Sequence, residues 1–342
     1  MQRRILGGTG ISVSEFTLGA MMLGAWGNQD HDDSIRMVHT ALDAGVNFID
    51  TADMYSEGES EEIVGRALKG RRDDVVLATK FHNPMGPDAN HRGNSRRWIV
   101  RAVEDSLRRL GTEWIDLYQV HRPDPDIDIE ETLSALSDLV RSGKIRAFGT
   151  SAFPATEIVE AQWTAERRGH LRPRSEQPPY SILARGIEAE VLPTAQRYGM
   201  GVLTWSPLSA GWLSGKYGGD RGADPATAHR NAFLPDMFDV TLPGNAAKLA
   251  AVTELTKVAA EAGVTLPQLA TAFVRRHPAV TSVIIGPRTR EQLAGLLEGA
   301  DVWLDDDVMD RIDAIVPPGT DVNRDTTFYS PPALTERRLR RR

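Results

Sequence analysis

Asn47-Phe48-Ile49-Asp50-Thr51-Ala52-Asp53-Met54-Tyr55 begins as an apolar run and breaks into a polar loop holding two carboxylates and a phenol. The run has the makeup of a buried strand. Asp50 can sit at the strand's end and Tyr55 on the loop just beyond it. A carboxylate and a phenol at the mouth of a parallel sheet suit proton chemistry. The same two residues would also serve as a turn cap and a surface ring, and this stretch alone leaves both readings open.

Working outward, the same beat recurs along the chain. Strands are predicted over Phe16–Ala20, Val46–Ile49, Val75–Thr79, Ile115–Val120, Lys144–Thr150, Arg174–Gln177, Gly201–Trp205 and Ser282–Ile285. Helices are predicted over Asp33–Ala44, Ser60–Leu68, Ser95–Leu110, Ile129–Arg141, Ala155–Arg168, Ile187–Arg197, Ala246–Ala262, Leu266–Arg276 and Arg290–Leu297. Several strands are wholly apolar, as in a parallel sheet covered on its outer face. Eight βα units in one domain of this size point to a closed (β/α)8 TIM barrel rather than an open doubly wound sheet. Ahead of them, Arg3–Val13 reads as a β-hairpin about Gly7-Gly8-Thr9-Gly10. Those glycines lack the G-x-G-x-x-G order and the helix of a nucleotide-binding loop. His82–Gly93, Pro207–Gly244 and Pro317–Arg342 break the rhythm, and the first two are expected as long loops on the C-terminal, active face. The domain is expected to span 1–318, with 319–342 a C-terminal loop and basic tail.

Composition narrows the partners. The chain has 342 residues, 41% of them hydrophobic, a formal charge of −7 and no cysteine. Net acidity disfavours nucleic acid, and the lack of cysteine removes disulfides, thiolate metal sites and cysteine nucleophiles. No apolar run reaches membrane-spanning length and none resembles a signal peptide, so a cytoplasmic location is expected. Arg337-Arg338-Leu339-Arg340-Arg341-Arg342 reads as a solvated tail, with an anion or subunit contact as the other use.

In a barrel the catalytic groups come from the C-terminal ends of several strands. Those ends carry Asp50 with Tyr55 just beyond, then Lys80, then His121. Singly, Lys80 could snorkel to solvent and His121 could be a satisfied core-edge histidine. Together they form one chemical set. A lysine near a tyrosine favours the phenolate and is expected to lower its pKa; at about 4 Å and an effective dielectric near 20 the pair is worth roughly 4 kcal/mol before desolvation. Asp50 would keep Lys80 charged, and His121 would hydrogen-bond and orient a substrate oxygen. Such a set protonates an oxygen on which negative charge is developing, as carbonyl reduction requires when a hydride source is present.

Asp50, Tyr55, Lys80 and His121 resemble, in order and spacing, the tetrad of the aldo-keto reductases. The words Asp50-Thr51-Ala52-Asp53-Met54-Tyr55, Leu117-Tyr118-Gln119-Val120-His121 and Phe148-Gly149-Thr150-Ser151 match as well, and the likeness runs from about Arg4 to Pro318. It is nearest to the bacterial, channel-beta-subunit-like branch. The resemblance implies a (β/α)8 barrel and reversible NADPH-dependent reduction of aldehydes or ketones, with tyrosine as proton donor and hydride from nicotinamide C4.

The likeness also implies a cofactor site. Ile285, Gly286, Arg288 and Gln292 match the segment that grips the adenosine 2′-phosphate, which favours NADPH over NADH. Thr289 and Gln292 have capping-box spacing, so a helix is expected to start there. Ser151 and Gln177 match residues that bind the nicotinamide carboxamide, and Trp205 matches the ring that stacks on the nicotinamide. Ser206, Pro207, Leu208, Gly211 and Lys216 match the loop over the pyrophosphate, and Gly19 and Met21 complete the contacts. Three departures stand out: Ala152 where an asparagine often follows the serine, Leu296 for an asparagine near the adenine, and Ala20 for a threonine.

Trp26, Met54 and His82 are candidates to line a pocket for an apolar carbonyl compound, and equally candidates for loop packing. The sequence leaves monomer or homo-oligomer open. Two other classes compete. One is a slow or non-catalytic nicotinamide-cofactor sensor like a channel subunit, against which stand the intact tetrad and the lack of an added N-terminal region. The other is a metal-dependent barrel hydrolase using His82, His121, Asp124 and Asp126, whose spacing matches no recognisable ligand set.

Overall fold

The computed structural model describes residues 1–216, 235–323, 330 and 332–341. The chain divides into two compact units, one of Met1–Pro178, Glu190–Trp205 and Pro278–Ala300, the other of Pro179–Ala189, Ser206–His277 and Asp301–Arg342.

The first unit holds the whole sheet. A hairpin, β1 (Arg3–Ile5) and β2 (Ser12–Ser14), precedes eight strands: β3 (Phe16–Gly19), β4 (Phe48–Asp50), β5 (Val76–Phe81), β6 (Ile115–Val120), β7 (Ile145–Ser151), β8 (Ser175–Gln177), β9 (Gly201–Thr204) and β10 (Val280–Ile285). These eight close in the order β10-β3-β4-β5-β6-β7-β8-β9, with every pairing parallel. This is the TIM barrel with an N-terminal hairpin that the sequence led us to expect.

Side chains two residues apart on a strand share a face, and that rule builds the interior. Phe48, Val76, Ala78, Leu117, Ala147, Leu203 and Ile284 pack into one core with Leu6 and Val13 of the hairpin, which seals the end where the strands start. One step further along the same strands come Asp50, Lys80, Gln119 and Trp205; two steps beyond Ala147 comes Ser151. The apolar plug thus sits beneath a polar layer. Gly149 makes room for it: a Cβ there would meet the Ser175 Oγ at 2.0 Å and its carbonyl oxygen at 2.8 Å.

Local sequence explains the helices. Asp30 caps α1 (His31–Asp43) by accepting the Asp33 N–H, and acidic residues crowd the first turn of α2 (Glu59–Ala67), where they interact favourably with the positive end of the helix dipole. Ser95 caps α3 (Arg96–Leu110), which stops at the left-handed Gly111, and Asp128 caps α4 (Ile129–Arg141). Then come α5 (Ala155–Arg168) and α6 (Val191–Arg197).

Some boundaries differ from those expected. β5 runs on to Phe81, so Lys80 lies inside a strand. β10 begins at Val280, two residues early, because a bulge there is bridged by the Thr281 hydroxyl, which accepts the Val202 N–H at 3.1 Å. The expected start at Ile187 is replaced by a 3-10 turn, Gly186–Glu188. Tyr180, Arg185 and the Gly319 N–H all bond the Glu188 carboxylate and hold that turn out of a helix.

The second unit contains α7 (Pro243–Glu261), α8 (Leu266–Arg276) and α10 (Asp306–Ile315); α9 (Arg290–Leu297) belongs to the first. Thr265 and Gln268 form a full capping box on α8. The sequence reading missed α10, whose five aspartates in Asp305–Asp313 look like loop. Asp305 caps it and two acids fill its first turn, where acidity favours a helix. Arg185 reaches Asp313 at 2.7 Å and the Val316 carbonyl at 2.6 Å, closing the helix's end. Within the stretch expected as a long loop, Ser209–Ser214 forms a 3-10 turn and Pro235–Phe238 one helical turn. Within the expected Pro207–Gly244 loop, residues 217–234 lie outside the described residues. In the basic tail Arg337–Arg340 form one exposed helical turn.

Candidate active site

β4, β5, β6 and β8 deliver one buried polar network at the strands' C-terminal ends. Lys80 is fully buried. Its ammonium donates to Asp50 Oδ1 at 2.5 Å, to the Thr51 carbonyl at 2.8 Å and to the Tyr55 hydroxyl oxygen at 3.3 Å. An ammonium has three protons and all three are engaged. The Tyr55 oxygen, already accepting from Lys80, has its own proton left to donate outward. Pairing registers Lys80 against Gln119 and Ser151 against Gln177.

The second oxygen of Asp50 is held from the far wall. Gln119 and Gln177 donate to Oδ2 at 3.0 and 2.9 Å, and Gln177 also donates to the Gln119 Oε1 at 3.0 Å. The Ser151 hydroxyl donates to the Gln177 carbonyl at 2.9 Å. Gln119 is therefore a site residue that sequence reading missed. Its signal was parity: it lies between Leu117, which faces the core, and His121.

His121 stacks edge-on against Tyr55, ring centroids 5.9 Å apart. Burial, then the Lys80 and Arg122 charges, push its pKa well below the ordinary value, so the imidazole is neutral. Asn83 lies 3.1 Å from Nδ1 through its amide nitrogen. That nitrogen donates, so Nδ1 accepts and the ring proton sits on Nε2.

Tyr55 corrects one expectation. Burial raises its pKa, and Lys80 opposes this without overcoming it. The ammonium is closer to Asp50 than to the phenol, and Asp50's negative charge offsets its pull. Tyr55 keeps its proton at neutral pH. The Lys80 pKa is also raised: burial works against the charged form, and Asp50 and Tyr55 more than make up the difference.

The other expected residues distribute as follows. The Trp26 ring, part exposed, lies 6.1 Å from the Tyr55 ring between centroids, and the Trp26 backbone N–H donates to the Ser56 hydroxyl at 3.1 Å. Ser56 and Glu57 both adopt left-handed backbone, φ 48° and 58°. Met54 is half-buried. His82 bonds Asn94 at 2.9 Å; Asp124 accepts the N–H groups of Asn94 and Asp126. His82, Asp124 and Asp126 thus brace loops, and among the described residues no group of three or more His, Cys, Asp or Glu is placed to hold a metal. Trp205 packs partly on the barrel core with the Arg122 guanidinium 6.0 Å away. Gly19 lies where a Cβ would come within 2.7 Å of Ile284, so strand packing alone requires it. Met21 is exposed on the following turn.

Thr289 caps α9 as expected, but the capping box is altered. The Gln292 Oε1 accepts the Arg288 N–H at 2.8 Å, one residue before the cap. Ile285 is buried and Gly286 exposed. Ala152 takes a left-handed φ of 57°, a conformation asparagine tolerates better than alanine. Leu296 and Ala20 are buried. In the second unit Ser206, Ser209, Ala210 and Gly211 all have positive φ, and the Ser206 hydroxyl accepts the Ala210 N–H at 2.9 Å. Pro207 and Leu208 lie within this turn, and Lys216 follows it.

A parallel eight-stranded barrel with a lysine–carboxylate pair and a protonated phenol at its mouth defines a class able to protonate a carbonyl oxygen. The profile of the aldo/keto reductase family matches residues 15–317, and the chain belongs to that family. It is 38% identical to a "Probable voltage-gated potassium channel subunit beta" of Oryza sativa subsp. japonica, over 92% of this chain and 97% of that protein. It is 38% identical to the "Uncharacterized oxidoreductase YrpG" of Bacillus subtilis (strain 168), over 93% and 96%, and 36% identical to the "Aldo-keto reductase YhdN" of the same organism, over 87% and 88%. The family supports an oxidoreductase acting on carbonyl compounds. Among the described residues no helix is long and apolar enough to cross a membrane.

Proposed function

We propose that the chain is an NADPH-dependent aldo-keto reductase that reversibly reduces aldehydes or ketones to alcohols. The observation that carries this is the Asp50–Lys80–Tyr55 chain of hydrogen bonds beside a neutral His121. The residues suit a nicotinamide cofactor: Gln177 and Ser151 are buried next to the network, and Trp205 stands at the end of its strand. The family likeness assigns Ser206, Pro207, Leu208, Gly211 and Lys216 to the pyrophosphate and Arg288 to the 2′-phosphate, which favours NADPH over NADH.

A bound nicotinamide supplies the hydride. The His121 Nε2–H would donate to the carbonyl oxygen and orient the carbonyl group beside Tyr55. Tyr55 would give its proton to that oxygen as negative charge develops on it. Lys80 stabilises the phenolate left behind, and Asp50 keeps Lys80 charged throughout. Trp26 and Met54 line an apolar approach.

The test is to titrate the protein with NADPH and NADH by tryptophan fluorescence, then follow nicotinamide absorbance with 4-nitrobenzaldehyde. Tight NADPH binding and turnover are expected, with Tyr55→Phe reducing kcat on the order of 10²- to 10⁴-fold. Turnover surviving undiminished in Tyr55→Phe would overturn the assignment. A second reading, a slow or non-catalytic nicotinamide sensor, draws on the channel-subunit name of the Oryza relative. Binding without turnover over a panel of carbonyls would favour it.

A further inference from the structure

The family pattern carries Gln177 but gives no role to Gln119, which is fully buried and contacts both Asp50 and Gln177. Its geometry admits one arrangement. A carboxylate held against an ammonium only accepts hydrogen bonds. Both amide nitrogens therefore turn toward Asp50 Oδ2, as their distances of 3.0 and 2.9 Å show. With its nitrogen committed, Gln119 can offer Gln177 only its oxygen. That oxygen takes the second proton of the Gln177 amide at 3.0 Å. Both N–H groups of Gln177 are then spent, and its Oε1 is the group it presents to whatever lies beside it.

From this we infer that Gln119 is a positioning residue that locks the Gln177 amide with its oxygen facing the cofactor subsite. The subsite is thereby set to accept a hydrogen-bond donor, the NH2 of a carboxamide, and to reject a carboxylate in the same place. This rests on the nicotinamide reading above. It matters more here than in a chain with asparagine after the serine, because Ala152 has no side-chain polar atom to add a contact. Removing Gln119 leaves one Gln177 proton unheld and takes a donor from Asp50. Gln177 then loses its fixed polarity, and Asp50 a brace.

The experiment compares dissociation constants for NADPH and for its nicotinic-acid analogue, in which a carboxylate replaces the carboxamide, by fluorescence quenching. The wild-type protein is expected to favour NADPH at least tenfold. Gln119→Leu, nearly equal in volume and shown folded by circular dichroism, is expected to cut that preference severalfold, mainly by weakening NADPH. An unchanged preference in the variant would overturn the role of Gln119 while leaving the nicotinamide reading intact. Failure of the wild type to bind NADPH would overturn both.

Should Gln119→Leu not fold, Gln119→Glu supplies the readout. The introduced carboxyl, when protonated, can donate to Asp50 as the amide did; when ionised it faces Asp50 with like charge. The nearest other charged group is Lys80, its register partner on β5, which is itself bonded to Asp50 and Tyr55; His121 lies two residues along the same strand direction. NADPH binding by Gln119→Glu is expected to approach that of the wild type near pH 5 and to weaken about tenfold or more by pH 8. A pH profile parallel to the wild type's would sink the proposal.

Discussion

Two buried polar clusters lie on opposite faces of the same strands, and only one is complete. Inside the barrel, every proton of Lys80 and both oxygens of Asp50 have partners. On the outer face, Glu61 takes the Thr79 hydroxyl at 2.6 Å and the Arg109 Nε at 2.7 Å. Beside it both oxygens of Asp53 and the hydroxyl of Tyr118 are buried with no partner among the described residues. Burial, then the charge of Glu61, push the Asp53 carboxyl well above the ordinary range, and Arg109 only partly opposes this. The inner cluster is fully paired; the outer one keeps the Glu61–Arg109 ion pair but favours the neutral form of Asp53. A substitution inside should damage chemistry, while one outside should change stability and its pH dependence.

The sharpest way to break this comparison is Lys80→Met. It strands the Asp50 carboxylate, and losing one partner of a buried pair costs about 3–5 kcal/mol. Activity should fall at least a hundredfold, and urea denaturation should report the lost stability. A fully active Lys80→Met would remove the inner cluster from catalysis.

Next comes Glu176, on the outward face of β8, with its carboxyl on the Thr150 hydroxyl and the Phe153 N–H. Burial raises its pKa from 4.5 to about 8. The native state therefore holds this proton more tightly than the unfolded chain does. Its stabilising contribution is complete below pH 4.5 and is lost as pH rises through about 8. The ceiling is about 5 kcal/mol, since each pKa unit is worth 1.36 kcal/mol. Glu176→Gln should flatten the fall in stability between pH 5 and pH 9; an identical fall in both proteins would show that Glu176 is not its source.

Asp53→Asn tests the outer cluster directly. The Asp53 pKa is likewise raised, so its native-state penalty grows as pH climbs above the unfolded carboxylate value. The variant should gain on the wild type by about 1–3 kcal/mol at pH 8 and by less at pH 5, with turnover unchanged. Thermal melts at the two pH values decide it, and a gain that shrinks with pH would contradict the sign.

The smallest expected effect is at Ala152. A left-handed alanine is strained by about 1 kcal/mol, so Ala152→Asn should melt a few degrees higher and bind NADPH somewhat more tightly. A lower melting temperature would mean that the loop has no room for an amide.

The interior was more legible than the exterior. The strand-end rule was enough to place Asp50, Lys80 and His121 on one rim, because each closes a strand-like run of residues. Gln119 escaped notice inside the apolar word Leu117-Tyr118-Gln119-Val120, and the pairing that sets it opposite Lys80 depends on register, which no single strand reveals. The direction of the Tyr55 pKa depended on how deeply the ring is buried and how far Asp50 neutralises Lys80. Both are tertiary quantities. For the same reason the loop word showed Asp53 only as a second carboxylate and gave no sign of its burial.

The hairpin plug has a consequence in time. β3 must wait for β10 to complete its pairing, and Leu6 must wait for Gly201, against which it is packed. At roughly 5–20 residues synthesised per second, about 13–50 s pass between the emergence of β3 and that of its last partner. Through that interval β3 has an open edge and the plug lacks its complete seat. Ring closure is thus the step most exposed to wrong pairing, and this chain depends on whatever shields that edge while it is being made.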